Sequence, residues 1–259
     1  MAISVKINFD NVYDIDIASN EMTSASFETE LTDGTKKKLI VEISPEAHEL
    51  MPNVYNLAFG PPDINGEIDD RAQLKHKDYS KVFSTILLHA QAYLTIHPDH
   101  YLGIDGSDNS RAFLYYRFIL NNFSYLSSYF SMGALKYYVR ITRFGKYQYE
   151  NPFDFHDIIP ALVRITDSSP RHLDYMYNYF IFNLIKEKTS NLPTLSKNSN
   201  FNIMKDKKVE DRVKSLIEKA RTVERPVKVK TSARRRSSLN QIIKTKEQAD
   251  ALMSALKAL

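Results

Sequence analysis

Apolar and polar residues alternate at several places within the first 60 positions, which is the pattern of half-buried β-strands. Every second residue from 3 to 9 is apolar. Residues 26–31 and 37–43 flank an Asp-Gly dipeptide, which accepts positive φ angles and favours a tight hairpin. A further extended segment is predicted at residues 54–59. The pattern therefore predicts an antiparallel N-terminal sheet.

Apolar residues then recur at helical spacing. Residues 78–96 carry them every three or four positions, and Pro98 ends the run. A second helix is predicted from a cap at Asn109 or Ser110 to about residue 130. The other segments are predicted as strands at 101–105 and 136–143, a strand or short helix at 158–166, and a helix rich in Tyr and Phe at 173–188. This order predicts an α+β fold, a mixed and largely antiparallel sheet with two main helices packed on it, followed by an extended helical tail.

Composition narrows the class of protein. The chain has 259 residues, of which 43% are hydrophobic, enough to bury a sizeable core. No apolar run approaches the roughly 20 residues that span a bilayer, and the first ten residues lack a secretory signal, so no membrane association is predicted. The absence of cysteine excludes disulfides, thiolate zinc sites and thiol catalysis, and a cytoplasmic location is expected. The seven His residues show no zinc-site spacing, so no metal site is predicted.

The charges are unevenly distributed along the chain. Residues 1–203 hold 19 Lys and Arg against 24 Asp and Glu, a net charge of −5, whereas residues 204–259 hold 16 against 7, a net charge of +9. All aromatic, His and Gly residues precede position 204. We therefore predict an acidic body at residues 1–190, a linker rich in Asn and Ser at 191–203, and a basic helical tail at 204–259.

The tail combines two amphipathic helices with a basic segment. An apolar stripe predicts one helix at residues 207–221, and a second begins after Ser237 or Ser238. Their apolar faces need a partner surface, which is either the body or a second copy of the chain. The cations between the helices are the candidate nucleic-acid-binding residues Lys228, Lys230, Arg234, Arg235 and Arg236. A role in solubility alone is also compatible with these charges.

Two neighbouring carboxylates, Asp69 and Asp70, follow a predicted turn at Gly66. Adjacent carboxylates can hold a divalent cation or can divide acid and base roles between them. A solvated acidic turn is the commoner arrangement, because Asp forms local hydrogen bonds in loops. A metal-dependent nuclease would require Asp105 to converge with this pair.

The predicted strand that ends at Asp105 leads through Gly106 and Ser107 into a helix with Arg111 in its first turn. Exposed N–H groups at a helix start attract anions, and an Arg guanidinium can add a bidentate phosphate contact. A capped turn without a ligand is equally compatible with these residues. The turn lacks the Gly-Lys-Ser/Thr ending of a P-loop.

The second predicted helix is rich in aromatic residues, including Tyr115. Aromatic side chains can stack on unpaired bases, which is a common feature of RNA-binding surfaces. Burial in the core or at an interface is the preferred interpretation, because the aromatic residues cover nearly every face of this helix.

Residues 54–60, 66–70, 81–85 and 106–117 together resemble an uncharacterised bacterial domain family, found largely in Bacteroidota, over about residues 50–145. The positions that match its pattern are Phe59, Gly60, Asp69, Asp70, Asp78, Lys81, Thr85, Gly106, Ser107, Arg111 and Tyr115. The resemblance implies no reaction. Together with the turns described above, it gives the candidate catalytic residues Asp69, Asp70, Lys81, Asp105, Ser107, Arg111 and Tyr115.

The leading hypothesis is a protein that resembles a bacterial toxin–antitoxin pair, because small basic antitoxins have the layout of this tail. The body would bind or act on RNA or another phosphate ligand through Arg111, Ser107 and the Asp69/Asp70 turn. The tail would dock on the body or bind nucleic acid. The alternative is a non-catalytic interaction module that forms a homo-oligomer, because no complete catalytic constellation is visible in the sequence.

Overall fold

A computed structural model of the chain describes residues 5–69, 72–105, 109–143, 146–150, 161–170, 175–185, 199–223 and 238–259. The strands in these ranges are β1 (Asp16–Ile17), β2 (Ser24–Glu30), β3 (Lys36–Ile43), β4 (Val54–Gly60), β5 (Tyr101–Asp105), β6 (Phe130–Arg143), β7 (Lys146–Glu150), β8 (Ala161–Arg164) and β9 (Tyr175–Leu184). The helices are α1 (Tyr79–Ile96), α2 (Asn109–Asn121), α3 (Phe123–Leu126), α4 (Ser199–Arg221), α5 (Ser238–Ile242) and α6 (Lys246–Lys257). The strands pair mostly antiparallel, which confirms the predicted α+β class.

The chain folds into two compact units, each assembled from three separate stretches of sequence. Unit 1 comprises Met1–Glu42, Phe59–Pro98 and Leu184–Val229, and unit 2 comprises Ile43–Ala58, Asp99–Asn183 and Lys230–Leu259. Each unit therefore contains residues of both the acidic body and the basic tail. Of the predicted linker, residues 191–198 lie outside the described ranges and residues 199–203 belong to α4. None of the helices within these ranges is long and apolar enough to cross a bilayer.

An antiparallel meander of β1, β2 and most of β3 forms the sheet of unit 1. The predicted hairpin between β2 and β3 is confirmed, and Gly34 adopts a φ of +83° at its turn. The Asp33 carboxylate accepts hydrogen bonds from the Thr35 hydroxyl at 2.7 Å and from the Thr35 backbone N–H at 2.9 Å. These bonds lower the pKa of Asp33 and close the turn locally.

The first predicted helix is also confirmed. α1 begins at its N-cap Asp78, whose carboxylate accepts a hydrogen bond from the Lys81 backbone N–H at 2.9 Å. The helix ends at His97, one residue before Pro98, because the residue before a proline disfavours helical backbone angles. Most of the α1 side chains are buried, so this helix forms the centre of unit 1.

A strand is expected at residues 3–9, of which the structure describes residues 5–9. These residues form no strand, so the prediction is wrong there. This segment lies along α1 instead, where the backbone N–H groups of Lys6 and Asn8 donate to the hydroxyls of Ser80 and Ser84, each at 2.9 Å. The two donors, Lys6 and Asn8, are two residues apart in extended chain, which spans roughly 6.6 Å. The two acceptors, Ser80 and Ser84, are four residues apart in the helix, which spans about 6 Å, so donors and acceptors match. The apolar side chains of the segment are buried as the alternation predicts.

Unit 2 contains a mixed sheet in the order β4-β5-β9-β6-β7. β4 and β5 run parallel, and β5 and β9 run antiparallel. β7 and β8 pair with different parts of β6, both antiparallel. The strands predicted at 54–59, 101–105 and 136–143 are therefore confirmed, and the third begins six residues earlier than predicted.

The helix predicted at residues 173–188 is wrong, because residues 175–184 form the strand β9. β9 lies between β5 and β6, and three consecutive residues, Phe180, Ile181 and Phe182, are all buried. A strand that is covered on both faces has no polar alternation, so its sequence does not show the two-residue period. Its aromatic and β-branched content favours a strand over a helix.

The second predicted helix ends earlier than expected. α2 stops at Asn121, a short α3 follows, and residue 130 already belongs to β6. The buried Asn122 side chain donates a hydrogen bond to the Phe118 carbonyl at 2.9 Å, so it occupies a backbone acceptor of the last turn. Side chains that bond nearby backbone groups compete with continued helix, which explains the break.

Candidate functional site

The predicted catalytic residues of the body are divided between the two units. Asp69 and Lys81 belong to unit 1, whereas Asp105, Arg111 and Tyr115 belong to unit 2. Asp70 and Ser107 lie outside the described residues, as do the predicted nucleic-acid-binding residues Lys228, Lys230, Arg234, Arg235 and Arg236. Their proposed roles therefore stay predictions.

The acidic turn before Asp69 folds back on the end of β4. Gly60 lies so close to the turn that an added Cβ would approach the Asp69 carbonyl oxygen to 2.8 Å. The Asp63 carboxylate accepts the backbone N–H groups of Asn65 at 2.8 Å and Glu67 at 2.9 Å. Across the part of the chain that the structure describes, no three His, Asp or Glu side chains are grouped to hold a metal ion.

The predicted residues of unit 2 lie on two faces of the β5–β9 pair. Asp105 pairs with Tyr179, so the two side chains share a face of the sheet. Tyr179 and Ile181 on this face pack with the tail helices α5 and α6. Tyr115 contacts the opposite face, where its ring meets Phe180 edge-on at 6.3 Å. Asp105 and Tyr115 are therefore not brought together.

The outer surface of α2 is partly apolar. Phe113 and Leu114 are 41% and 45% exposed, and the Arg117 guanidinium lies 5.6 Å from the centre of the Phe113 ring. Tyr116 on the inner surface is buried and donates a hydrogen bond to the Pro170 carbonyl at 2.6 Å. Most of the predicted aromatic helix thus packs inside unit 2, while two adjacent apolar side chains face solvent.

A polar cluster in unit 1 connects four residues that are far apart in the sequence. We call Tyr13, Thr29, His76 and Lys81 the Tyr13 cluster. The Lys81 ammonium lies 4.4 Å from the centre of the Tyr13 ring, which stacks on Phe27 at 5.6 Å. The Thr29 hydroxyl lies 3.5 Å from the Tyr13 hydroxyl and 3.1 Å from His76 Nδ1. The buried Thr29 thus links the phenol to the imidazole.

One arrangement of protons satisfies both hydrogen bonds of the Tyr13 cluster, and it corresponds to one of the two tautomers of His76. Burial lowers the pKa of His76, so its imidazole is neutral at pH 7. When Thr29 donates to the Tyr13 oxygen, the only proton left for the second bond is on His76 Nδ1. His76 Nε2 is then an acceptor, and the Tyr13 O–H remains able to donate.

The model of a family of unknown function, DUF6934, matches residues 10–156, more than half of the chain. The chain belongs to this family. The resemblance predicted over about residues 50–145 is thus confirmed as membership of a family of unknown function, and the match extends further at both ends. No curated protein and no solved structure matches the chain.

The DUF6934 match contains the whole Tyr13 cluster, whereas β8, β9 and the tail helices lie beyond it. One of these helices, α4, completes unit 1. Its buried apolar residues follow a helical stripe as predicted: Val209, Val213, Leu216 and Ala220. Lys208 pairs with Asp10 and Lys219 with Asp14, each at 3.0 Å. The Lys219–Asp14 pair is exposed and the Lys208–Asp10 pair is only partly buried, so burial of the stripe supplies most of the stabilisation.

The last two helices complete unit 2. The single helix predicted after Ser238 is interrupted, because Thr245 forms a capping box with Gln248 and starts α6 separately from α5. The buried residues of α5 and α6 belong to one cluster with Met51, Val54 and Tyr101 of the DUF6934 region. The cluster contains Leu239 and Ile242 of α5, Ile243 directly after it, and Ala249, Leu252 and Leu256 of α6. The apolar faces of the tail thus pack within the same chain.

Another group that the sequence did not indicate is the carboxyl pair Glu42 and Glu67 in unit 1. Burial raises the pKa of Glu42, and the negative charge of Glu67 raises it further. Glu42 Oε1 is buried and accepts no hydrogen bond from the described residues. A raised pKa makes a carboxyl group hold its proton to a higher pH than usual, although two acidic residues alone do not define a site.

Proposed function

We propose that this member of DUF6934 is a nucleic-acid-binding protein with a toxin–antitoxin-like layout. In this proposal the basic segment between α4 and α5, residues 224–237, contacts the phosphate backbone. The segment contains six Lys and Arg and one Glu, so its net charge is +5 of the tail's net +9. Lys and Arg that neutralise phosphates release counterions, which drives binding without sequence preference.

The docking of the two flanking helices is the observation that carries the proposal. α4 buries its apolar stripe in unit 1, and α5 and α6 bury theirs in the core of unit 2. The apolar faces of the tail are therefore already covered within the chain. The segment between these helices carries the charge but has no comparable run of apolar residues, so a polyanion fits it better than an apolar partner surface.

We expect binding to nucleic acid to weaken steeply with salt, and neutralising the arginine run to reduce that dependence. For duplex DNA, the triple variant Arg234→Gln, Arg235→Gln, Arg236→Gln should reduce the slope of log K against log salt by about 3. Fluorescence anisotropy between low and physiological salt measures this slope. The full-length protein is used, because the tail helices are part of both units.

The matched control removes the same charge from exposed residues of the last helical region, through Lys244→Gln, Lys246→Gln and Lys257→Gln. This variant should change the slope by less than about 1. Equal slopes for the two triple variants would contradict a specific role of the basic segment. The predicted contact of the body with RNA is tested by the same measurement with a labelled RNA as the probe, in which Arg111→Gln should weaken binding.

A second candidate function is a homo-oligomeric interaction module, and the exposed Phe113 and Leu114 on α2 favour it. Adjacent exposed apolar side chains beside an Arg are typical of protein interfaces. We expect the oligomeric mass to decrease in a Phe113→Ser, Leu114→Ser variant, measured by light scattering. A double substitution at nearby exposed polar positions, Asn121→Ser at the end of α2 with Ser124→Ala in α3, is the control. A monomer in the unsubstituted protein would rule out this function.

A further inference from the structure

We propose that the Tyr13 cluster is a binding site for a small oxyanion such as inorganic phosphate or a phosphate monoester, held by Lys81 and Tyr13 beside His76. The site lies within unit 1 and uses no residue of the basic segment. It is therefore independent of the nucleic-acid binding proposed above.

Lys81 supplies the positive charge of this site. Its ammonium is held against the Tyr13 ring, and no carboxylate of the described residues lies within ion-pair distance of it. An ammonium has three N–H donors, and one aromatic face cannot occupy all of them. These donors can form charge-assisted hydrogen bonds to an anion, which are stronger than bonds between neutral groups.

Tyr13 supplies a neutral hydrogen-bond donor close to Lys81, because the Lys81 ammonium lies over the same ring that bears the hydroxyl. The hydrogen bond from the Thr29 hydroxyl to the Tyr13 oxygen is long, at 3.5 Å. The Tyr13 oxygen is the acceptor in this bond, so the bond does not use the proton of the phenol. The Tyr13 proton can therefore be donated to an anion oxygen. Stacking on the buried Phe27 fixes the direction of the ring, so the donor is preorganised.

His76 gives the site a preference for protonated oxyanions. In the tautomer whose Nδ1 proton is donated to Thr29, the neutral imidazole presents Nε2 as an acceptor for an O–H group. Hydrogen phosphate carries such a proton near neutral pH, whereas a phosphate monoester has largely lost it, because its second pKa is about 6, and sulfate has none.

The nearby acidic groups already have partners. Glu30 pairs with Lys77 at 2.7 Å, and the Asp78 carboxylate accepts the Lys81 backbone N–H. Asp78 therefore occupies the N-terminus of α1, and an anion would be bound by side chains and not by the helix end.

Nuclear magnetic resonance of the full-length protein tests the site. Inorganic phosphate is titrated at low ionic strength while the imidazole C–H signals of His76 are followed. We expect a saturable shift of these signals, weaker binding of sulfate, and affinity for phosphate reduced roughly tenfold or more in Lys81→Gln. Removal of the neutral donor in Tyr13→Phe should reduce affinity by roughly threefold to tenfold while leaving the thermal midpoint nearly unchanged.

The matched control is Lys75→Gln, which removes an exposed charge one residue from His76. It should leave the phosphate affinity within about twofold of the original, since a screened exposed charge contributes little. The arginine variant of the basic segment should also bind phosphate normally, which separates this site from the proposed function. A parallel titration with adenosine monophosphate distinguishes a free phosphate from a nucleotide as the ligand. If adenosine monophosphate binds more tightly than inorganic phosphate, the site takes the phosphate group of a nucleotide. Absence of a saturable shift, or equal losses in Lys75→Gln and Lys81→Gln, would overturn the proposal.

Discussion

Replacing Gly103 by alanine is expected to lower the free energy of unfolding by about 3 kcal/mol, one of the largest effects of a single methyl group in this chain. Gly103 lies in the middle of β5, and the ring of the buried Tyr179 covers its Cα so closely that an added Cβ would overlap the ring carbons and the hydroxyl. The Tyr179 hydroxyl lies 3.5 Å from Asn56 Oδ1 on the neighbouring strand β4. Tyr179 also belongs to the buried core cluster of unit 2, so its ring can move away from a new Cβ only by displacing packed neighbours.

A double-mutant cycle isolates this contact. In a Tyr179→Leu background the ring atoms that meet the new Cβ are absent, so Gly103→Ala should then cost less than about 1 kcal/mol. Gly34→Ala is the matched control, because a Cβ there has open space and only the positive φ opposes it, a cost of about 1 kcal/mol. Chemical denaturation measures all four variants. If Gly103→Ala costs the same with and without Tyr179, the overlap is not the cause.

The sequence predicts an element well where its apolar residues keep a clear period. In β2 and β3 they recur at every second position, and in α1 they recur at helical spacing between Asp78 and Pro98, so each element is identified correctly although α1 is buried on most of its sides. β9 is covered on both faces, so its continuous apolar run lacks that period and is mistaken for a helix. Residues 5–9 have the strand period, but hydroxyls of α1 take the place of a neighbouring strand.

The candidate site is harder to predict, because the fold and not the local pattern brings its residues together. The family pattern in the sequence indicates Lys81 as a candidate site residue. Tyr13, Thr29 and His76 lie in three other segments, and no sequence motif connects them with Lys81. The tertiary packing of β2 against the segments before α1 creates the cluster. Conversely, Asp105 and Tyr115 are ten positions apart, and the sheet between them places them on opposite faces.

Lowering the pH from neutral is expected to destabilise unit 1 through His89, by about 3 kcal/mol between pH 6.5 and pH 4. His89 is buried in α1, and neither ring nitrogen has a hydrogen-bond partner among the described residues. Burial lowers its pKa to about 4, although the nearby Met22 backbone favours the charged form slightly. Below pH 6.5 the unfolded chain binds a proton that the folded chain does not accept until about pH 4, so stability falls across this interval.

Substituting His89 by leucine should remove this part of the pH dependence, since the buried side chain can then no longer titrate. At pH 8 the variant should be at least as stable as the original, because an apolar side chain of similar size replaces an unsatisfied polar ring. His48 and His76, whose pKa values are also lowered by burial, contribute a residual loss of the same sign. Glu42 acts in the opposite direction, because its raised pKa makes the folded state gain stability as it binds a proton.

Thr85→Val is the matched control for His89→Leu, because it changes a buried polar residue of the same helix that does not titrate. Its hydroxyl accepts the Tyr13 backbone N–H at 2.9 Å, so the substitution should lower stability by a similar amount at every pH. Denaturant unfolding at several pH values between 4 and 8 gives the three curves. Thr85→Val should keep the pH dependence of the unfolding free energy. If His89→Leu keeps it as well, His89 already carries its proton in the folded state, and another group causes the loss of stability. If only His89→Leu flattens the curve, the neutral buried imidazole limits the stability of unit 1 in acid.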